Sequence, residues 1–338
     1  MATVSILGVS GYTGMELLRL VSAHPELELK SVYGQRQAGQ RLADIYPQSL
    51  GHGCEDLVIQ AFDPETCDLD DSDIWFFALP HGHTQAYMDK IRDGKSATII
   101  DLSADFRFSK VETYEAAYQS HGSPKTLRDA VYGLPELYED ELRLATFCAN
   151  PGCYVLSSVL GLLPLTEQGI QGSVIIDAKS GATGAGKKAS DHLLFCEVNE
   201  NILAYGTGTH RHAPEIQSVL GVDQILFSPH LLPQNRGILS TIYLKNEWEY
   251  SDEQLQDLYQ SRYAKHPFTH IVDGAADTRQ VVDTPYCKIK VQAIGDQIVI
   301  MSMIDNLLRG ASSQAIENMN IMMGWDREAG LSWWPRYA

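Results

Sequence analysis

Asn150-Pro151-Gly152-Cys153-Tyr154 is the segment that leaves this chain the least conformational freedom. A proline without an N–H, followed by glycine, cannot continue a strand or a helix, so these residues must form a tight turn. Directly after it, Cys153 opens the apolar stretch Tyr154-Val155-Leu156-Ser157-Ser158-Val159-Leu160, which reads as a buried helix. A thiol at a helix N-terminus has its thiolate favoured by the helix dipole and by free backbone N–H groups. The same N–H groups can hold an oxyanion. The turn therefore presents Cys153 as a nucleophile, with a buried structural cysteine as the alternative.

A chain of 338 residues is long enough for two domains, each with its own core. The net charge of −17 argues against nucleic acid or an anionic membrane as a general partner. Any anion site must then be a local island of Arg, Lys or backbone N–H. Met1 to Val9 enters a short strand without a basic region or a long apolar core, so no signal peptide is expected. No run approaches the ~18 apolar residues of a membrane span. The six cysteines (Cys54, Cys67, Cys148, Cys153, Cys196, Cys287) contain no Cys-x-x-Cys pair. That argues against a disulfide framework and a zinc cluster, and for the reduced thiols of a cytoplasmic enzyme. His81-Gly82-His83 and His210-Arg211-His212 lack carboxylates or cysteines at ligand spacing, so no metal is expected.

Residues 1–150 alternate strand and helix signals. Strands are expected at Val4–Leu7, Leu29–Tyr33, Asp73–Ala78, Ala97–Asp101 and Ala145–Cys148, with helices at Met15–Ala23 and Thr84–Arg92. Continuous apolar strands separated by helices predict a Rossmann-type doubly wound parallel sheet. After the Cys153 helix, longer strands at Ser173–Ala178, Gln224–Phe227, Ile238–Leu244, Cys287–Ala293 and Gln297–Ile304 predict a second α+β domain with a mainly antiparallel sheet. Asp305-Asn306 is expected to cap a final helix over Leu307–Met323. The tail Trp333-Trp334-Pro335 is too aromatic for a solvated end and is expected to pack on the fold or on a partner subunit.

Several loops carry chemistry. The first strand runs into Gly8-Val9-Ser10-Gly11-Tyr12-Thr13-Gly14 and then a helix, which suits a dinucleotide's pyrophosphate. The second strand ends in Tyr33-Gly34-Gln35-Arg36-Gln37, with no acid for a ribose 2′-OH and an arginine for a 2′-phosphate. NADP(H) is therefore expected, read by Arg36. The backbone of Ala78-Leu79-Pro80-His81-Gly82 should lie along that cofactor. In Asp101-Leu102-Ser103-Ala104-Asp105-Phe106-Arg107, Ser103 and Arg107 suit an anion, with Asp105 orienting the arginine. Ser180-Gly181-Ala182-Thr183-Gly184-Ala185-Gly186-Lys187-Lys188 does not match the P-loop pattern. It is expected as a flexible loop over the nicotinamide and a phosphate group. His210-Arg211-His212-Ala213-Pro214-Glu215 precedes a helix, where a histidine could pair with the thiolate. His212 is favoured over His210 for that role, and Glu215 is expected to orient it or to cap the helix.

In order along the chain, Gly8–Gly14, Ala78–Gly82, Asp101–Arg107, Tyr132-Gly133-Leu134-Pro135-Glu136, Asn150–Tyr154, Ser180–Lys187, His210–Ile216 and Asp305–Ala311 resemble the N-acetyl-gamma-glutamyl-phosphate reductase family. Its wider superfamily includes aspartate-semialdehyde dehydrogenase, whose cysteine and glycine turns are similar. Gln35-Arg36-Gln37 departs from the resemblance, where Ser-Arg or Thr-Ser-Arg is expected. The resemblance implies an NADP-binding domain of 1–150 joined by a returning helix at about 307–330, and a catalytic and oligomerisation domain of 151–306. It implies a homo-oligomer, dimer or tetramer, built through the second sheet. It also implies attack of Cys153 on an acyl phosphate, a thioester, hydride transfer from NADPH and protonation by a histidine. Ser103, Arg107, Asn150, Lys187 and Glu215 are expected at the substrate, and Ser180 and Gly181 at the cofactor. Other readings remain open: an aminoadipyl or aspartyl phosphate reductase, a cofactor-free thiol hydrolase or acyltransferase, or a non-catalytic NADP(H) sensor.

Overall fold

The structure, a computed structural model, describes residues 1–170 and 172–331. The expected packing of Trp333-Trp334-Pro335 lies outside them. The chain divides at the Asn-Pro-Gly turn into two compact units. One is Met1–Pro151 with the segment from Ala311, and the other is Gly152–Gly310.

In the first unit, strands β1 (Ala2–Leu7), β2 (Leu27–Tyr33), β3 (Ile74–Phe77), β4 (Thr98–Asp101), β5 (Val131–Tyr132) and β6 (Phe147–Ala149) form one sheet. Their order is β2-β1-β3-β4-β6-β5, and each pairing is parallel. Every residue of β3 is buried, which is why its sequence is apolar throughout rather than alternating. Leu7, Trp75, Phe77, Ile99, Phe106 and Phe147 share one core cluster. The Trp75 indole N–H donates to the Leu69 carbonyl at 2.8 Å, so burial leaves it satisfied. Strand order reverses at β1, the switch point where ligands bind in such sheets. The carboxyl ends of β1, β3, β4 and β6 lead into Gly8–Gly14, the Pro80 loop, Ser103–Arg107 and Asn150.

The three glycines after β1 have different physical jobs. Gly8 sits at φ +93°, and a Cβ there would lie 2.3 Å from the Ala78 carbonyl oxygen at the end of β3. A Cβ on Gly14 would meet the Gly8 carbonyl oxygen at 2.2 Å. Both serve close packing of backbone on backbone. Gly11 is different: its φ is −80°, and its Cβ would find only the Gly8 oxygen, at 3.6 Å.

The helix expected over Thr84–Arg92 is instead a 3₁₀ turn, Thr84–Ala86, and a single α-turn, Met88–Ile91. It breaks where the Ser123 hydroxyl comes between, accepting the Asp89 N–H and donating to the Gln85 carbonyl, so the helical bond between those two groups is not made.

The second unit holds β7 (Val174–Gly181), β8 (Leu203–Ala204), β9 (Ile225–Leu232), β10 (Ile238–Lys245), β11 (Thr269–Ile271), β12 (Cys287–Ile294) and β13 (Gln297–Ile304). Their order is β11-β12-β13-β10-β7-β9-β8. The sheet is mainly antiparallel, as expected, with β7–β9 and β11–β12 paired in parallel. The β7–β9 pairing needs a crossover, and residues 182–224 supply it, including the helix His212–Leu220. The helix Cys153–Thr166 is buried all round from Tyr154 to Leu165, and Gly161 lets it approach the Ile242 side chain. Asp305 Oδ1 accepts from the N–H groups of Leu307 and Leu308 and so caps the final helical segment. That segment opens as a π-turn, Leu308–Ser312, before the α-helix Ser313–Met322. Asn306 serves elsewhere: its carbonyl oxygen accepts from Gly237 N–H, and its amide donates to Thr183.

The glycine geometry makes a direct prediction. Gly14→Ala should cost at least ~1 kcal/mol through backbone overpacking, lowering the melting temperature by ~3 °C or more. Gly11→Ala should leave it within ~1 °C, since φ and space both accept a methyl group. Thermal melts of the two variants side by side check this, and equal losses would contradict it.

Candidate active site

The helix Tyr12–Ala23 begins at Gly11 with no side-chain cap. Its first-turn N–H groups, from Tyr12, Thr13 and Gly14, have no acceptor within the helix. Gly11 leaves the approach to them open, so an anion can reach this end. Ser10 stands beside Gly34, its hydroxyl 3.6 Å from where a Cβ on that glycine would be. Arg36 is exposed in the turn after β2, and Pro80 is exposed after β3. These residues fit a dinucleotide with an additional phosphate, all within the first unit.

Behind them lies a buried polar network. Asp101 accepts from the Ser103 hydroxyl at 2.6 Å and from the Thr84 hydroxyl at 3.2 Å. Burial first, and the neighbouring Asp105 charge second, push its carboxyl up to about 7. Ser103 is itself buried, and its oxygen also accepts the Asp105 N–H. Ser103 thus holds the turn, where sequence reasoning expected it at the substrate. The Asp105 carboxylate takes the N–H groups of Gly82 and Gln85 and the Tyr114 hydroxyl. Carbonyls help to orient Arg107. Arg107 Nε donates to the Asn150 oxygen at 2.8 Å, and one terminal nitrogen donates to the Leu102 oxygen at 2.9 Å.

The Asn150 side-chain amide donates to the Ala311 carbonyl at 3.1 Å, and its side-chain oxygen accepts from Asn318 at 3.0 Å. It is buried and holds the turn, where sequence reasoning expected it at the substrate.

In the second unit Gly152 is the N-cap, with extended backbone, and Cys153 is the first residue of the helix, half-buried. The buried Glu215 carboxylate accepts the Gly152 N–H at 3.1 Å. Glu215 thus caps the cysteine helix; sequence reasoning placed it at substrate, at a histidine or on its own helix. A Cβ on Gly310 would lie 2.7 Å from the Cys153 Cβ, so only glycine lets that backbone lie against the cysteine. Ser180 is buried, with its hydroxyl donating to the Gly181 oxygen. Gly181 is packed on the backbone of Asn235 and Arg236. The loop beyond is a 3₁₀ turn, Ala182–Ala185, pinned by the Thr183 hydroxyl to the Asn235 carbonyl at 2.6 Å. The expected flexible cover is therefore anchored at its start, and Lys187 is exposed further along it.

Both histidines lie against Tyr154, with ring centroids at 5.8 Å for His210 and 5.9 Å for His212. They are not equivalent. His210 Nδ1 accepts the His212 N–H at 3.2 Å, which places the neutral ring's proton on Nε2. Burial among aromatic rings, with Arg211 as the second cause, lowers its pKa to about 4. His212 opens its own helix, 4.8 Å from the His210 ring. Sequence reasoning missed Tyr205, whose hydroxyl donates to the Tyr154 hydroxyl, which in turn donates to the His230 carbonyl. Only the pairing of β8 with β9 brings Tyr205 there, and no local pattern announces it. Burial raises both phenols above their ordinary range, so each stays a neutral donor.

Among the described residues there is no group of three or more His, Cys, Asp or Glu that could hold a metal ion. No described helix is long and apolar enough to cross a membrane.

Residues 3–145 match the family model described as semialdehyde dehydrogenase, NAD binding domain. Residues 153–306 match the one described as semialdehyde dehydrogenase, dimerisation domain. The chain is 42% identical to N-acetyl-gamma-glutamyl-phosphate reductase of Desulfotalea psychrophila, with 100% of each chain covered. It is 43% identical to the enzyme of that name from Pelobacter propionicus, with 98% of each covered. Among solved structures it is similar to aspartate semialdehyde dehydrogenase II from Vibrio cholerae complexed with ASA. That match has a TM-score of 0.73 at 15% identity, covering 96% of this chain and 98% of the other. Aspartate semialdehyde dehydrogenase with NADP from Candida albicans gives a TM-score of 0.70 at 17% identity, covering 96% and 98%. At such identities the likeness is one of fold.

The Asp101 carboxyl sets a pH dependence. Its folded pKa lies above the unfolded value, so the stability it contributes is complete below about 4 and is lost as pH rises through about 7. The melting-temperature advantage of wild type over Asp101→Asn should therefore shrink between pH 5 and pH 8. A constant difference across that window would place the titration elsewhere.

Proposed function

The chain belongs to the N-acetyl-gamma-glutamyl-phosphate reductase family, and we propose that it reduces N-acetyl-L-glutamyl 5-phosphate to the 5-semialdehyde through a thioester on Cys153. It is an NADP-dependent oxidoreductase of arginine biosynthesis. The observation that carries the thioester assignment is Cys153 at the first position of a buried helix whose N-cap N–H is already taken by Glu215.

The proposed steps run as a covalent acyl transfer followed by reduction. His212 takes the thiol proton, and the Cys153 thiolate attacks the acyl carbon. The carbon–sulfur bond forms, the bond to the phosphate oxygen breaks, and inorganic phosphate leaves. Arg107, anchored on the carbonyl of Asn150 three residues before Cys153, holds the phosphate. The N-terminus of the helix that Cys153 opens stabilises the carbonyl oxyanion through its dipole and first-turn N–H groups. Bound at Gly8–Gly14 and Arg36, the nicotinamide cofactor supplies the hydride that reduces the thioester. His212 lends its proton to the thiohemiacetal oxygen; as the carbon–sulfur bond breaks and its electron pair returns to sulfur, that proton passes back through His212 to the Cys153 sulfur and the aldehyde departs. His210 is unsuited to this part, because with a pKa of about 4 it carries no transferable imidazolium proton near neutrality.

The match to a model described as a dimerisation domain supports a homo-oligomer, dimer or tetramer. Six free cysteines fit a reducing, cytoplasmic setting.

The reaction is tested in reverse, with NADP+, phosphate and N-acetylglutamate semialdehyde, following NADPH absorbance. Wild type should turn over, and Cys153→Ser should not. His212→Asn should slow turnover by ~10²–10⁴-fold, the usual scale of acid–base catalysis, and His210→Asn by less than ~10-fold. A larger loss at His210 would reverse the assignment, and turnover by Cys153→Ser would exclude covalent catalysis.

A further inference from the structure

Asp105 is fully buried and gathers five hydrogen bonds. The Gly82 N–H donates to Oδ1 at 2.6 Å, the Gln85 N–H to Oδ2 at 3.0 Å, and the Tyr114 hydroxyl to Oδ1 at 3.2 Å. Its own N–H donates to the Ser103 hydroxyl oxygen at 3.1 Å, and its carbonyl accepts His121 Nε2 at 2.7 Å. The backbone of the loop after β3 is thus fastened to the loop after β4, two residues before Arg107. Asp101 repeats the link one layer down, accepting from Thr84 on one loop and Ser103 on the other.

The residue type matters. An ionised carboxylate only accepts, and here both oxygens face donors. An asparagine would turn its NH₂ group toward one of those N–H groups and leave it unpaired in a buried site.

We propose that Asp105 is a positioning residue that holds the cofactor loop at Pro80–Gln85 and the phosphate-binding Arg107 in one preorganised element. The proposal rests on the assignment of Pro80 to the cofactor and Arg107 to phosphate made above. Its consequence is that one side chain, in contact with neither ligand, sets the affinity for both.

The test is steady-state kinetics of the reverse reaction in Asp105→Asn, Tyr114→Phe and Arg107→Lys. Asp105→Asn should raise the Michaelis constants for both NADP+ and phosphate by ~5-fold or more, while kcat falls less than ~3-fold. Tyr114→Phe removes a donor from the same carboxylate but keeps both loop N–H contacts, so it should change neither constant by more than ~2-fold. Alkylation of Cys153 by iodoacetamide should proceed at the wild-type rate in both variants, which a general folding defect would not allow. An increase in only one constant, or an equal effect from Tyr114→Phe, would overturn the proposal. Arg107→Lys should raise the phosphate constant alone. If it moves neither constant while Asp105→Asn moves both, the phosphate assignment fails and the loop linkage stands. Should Asp105→Asn not fold, hydrogen exchange in the wild-type enzyme decides. Inorganic phosphate alone should slow exchange at the Gly82 and Gln85 amides, and unchanged exchange would reject the linkage.

Discussion

Four residues at the Asn-Pro-Gly-Cys turn have almost no backbone group to spare, and the placement of the nucleophile depends on that accounting. The Asn150 N–H donates to the Asp101 carbonyl at the end of β4, and its own carbonyl is held by Arg107. Pro151 has no N–H to satisfy. The Gly152 N–H is taken by Glu215, and the Gly310 backbone lies against the Cys153 Cβ. A buried polar group left unpaired costs roughly 1–3 kcal/mol, so each partner is needed. What the turn delivers is the Cys153 thiol at the start of a helix, where the dipole and the first-turn N–H groups favour the thiolate and an oxyanion, as covalent acyl transfer requires.

The same economy governs the carboxyl edge of the parallel sheet. Parallel strands bury their sides and deliver their loops to one edge, where a strongly acidic chain must still receive anionic ligands. In the function proposed above it does so with backbone and two arginines rather than with a basic surface. Gly11 opens the N–H groups of a helix start, Arg36 is presented after β2, and Arg107 is aimed by carbonyl oxygens. Acidic residues near this edge turn inward: Asp101 and Asp105 are fully buried and bind loop backbone and hydroxyls. Their charges organise the edge without lining it.

Much of this was legible in the sequence. Strands buried on both sides read as unbroken apolar runs, so β1 to β4 and β6 fall where the runs fall. The glycine turn, the cysteine helix and the histidine pair were visible as well, because each depends on neighbours within a few residues. What was hidden depends on partners far along the chain. Glu215 caps a turn 63 residues away. The buried partners of Asn150 and Ser103 were not visible either. The parallel β7–β9 pairing depends on a long crossover, residues 182–224, that no local pattern announces. Nor does a histidine's spacing reveal which ring loses its charge; burial and a hydrogen bond from the neighbouring N–H decide that for His210.

The central claim is that Cys153 carries the acyl group. The most direct test supplies NADP+ and N-acetylglutamate semialdehyde without phosphate, so that the thioester forms and has no phosphate to receive it. The account predicts a burst of NADPH equal to the enzyme present and, after acid quench, peptide mass spectrometry with a single N-acetylglutamyl group on Cys153. Adding phosphate should discharge it and restart turnover. No burst, or an acyl group on any other residue, would contradict it.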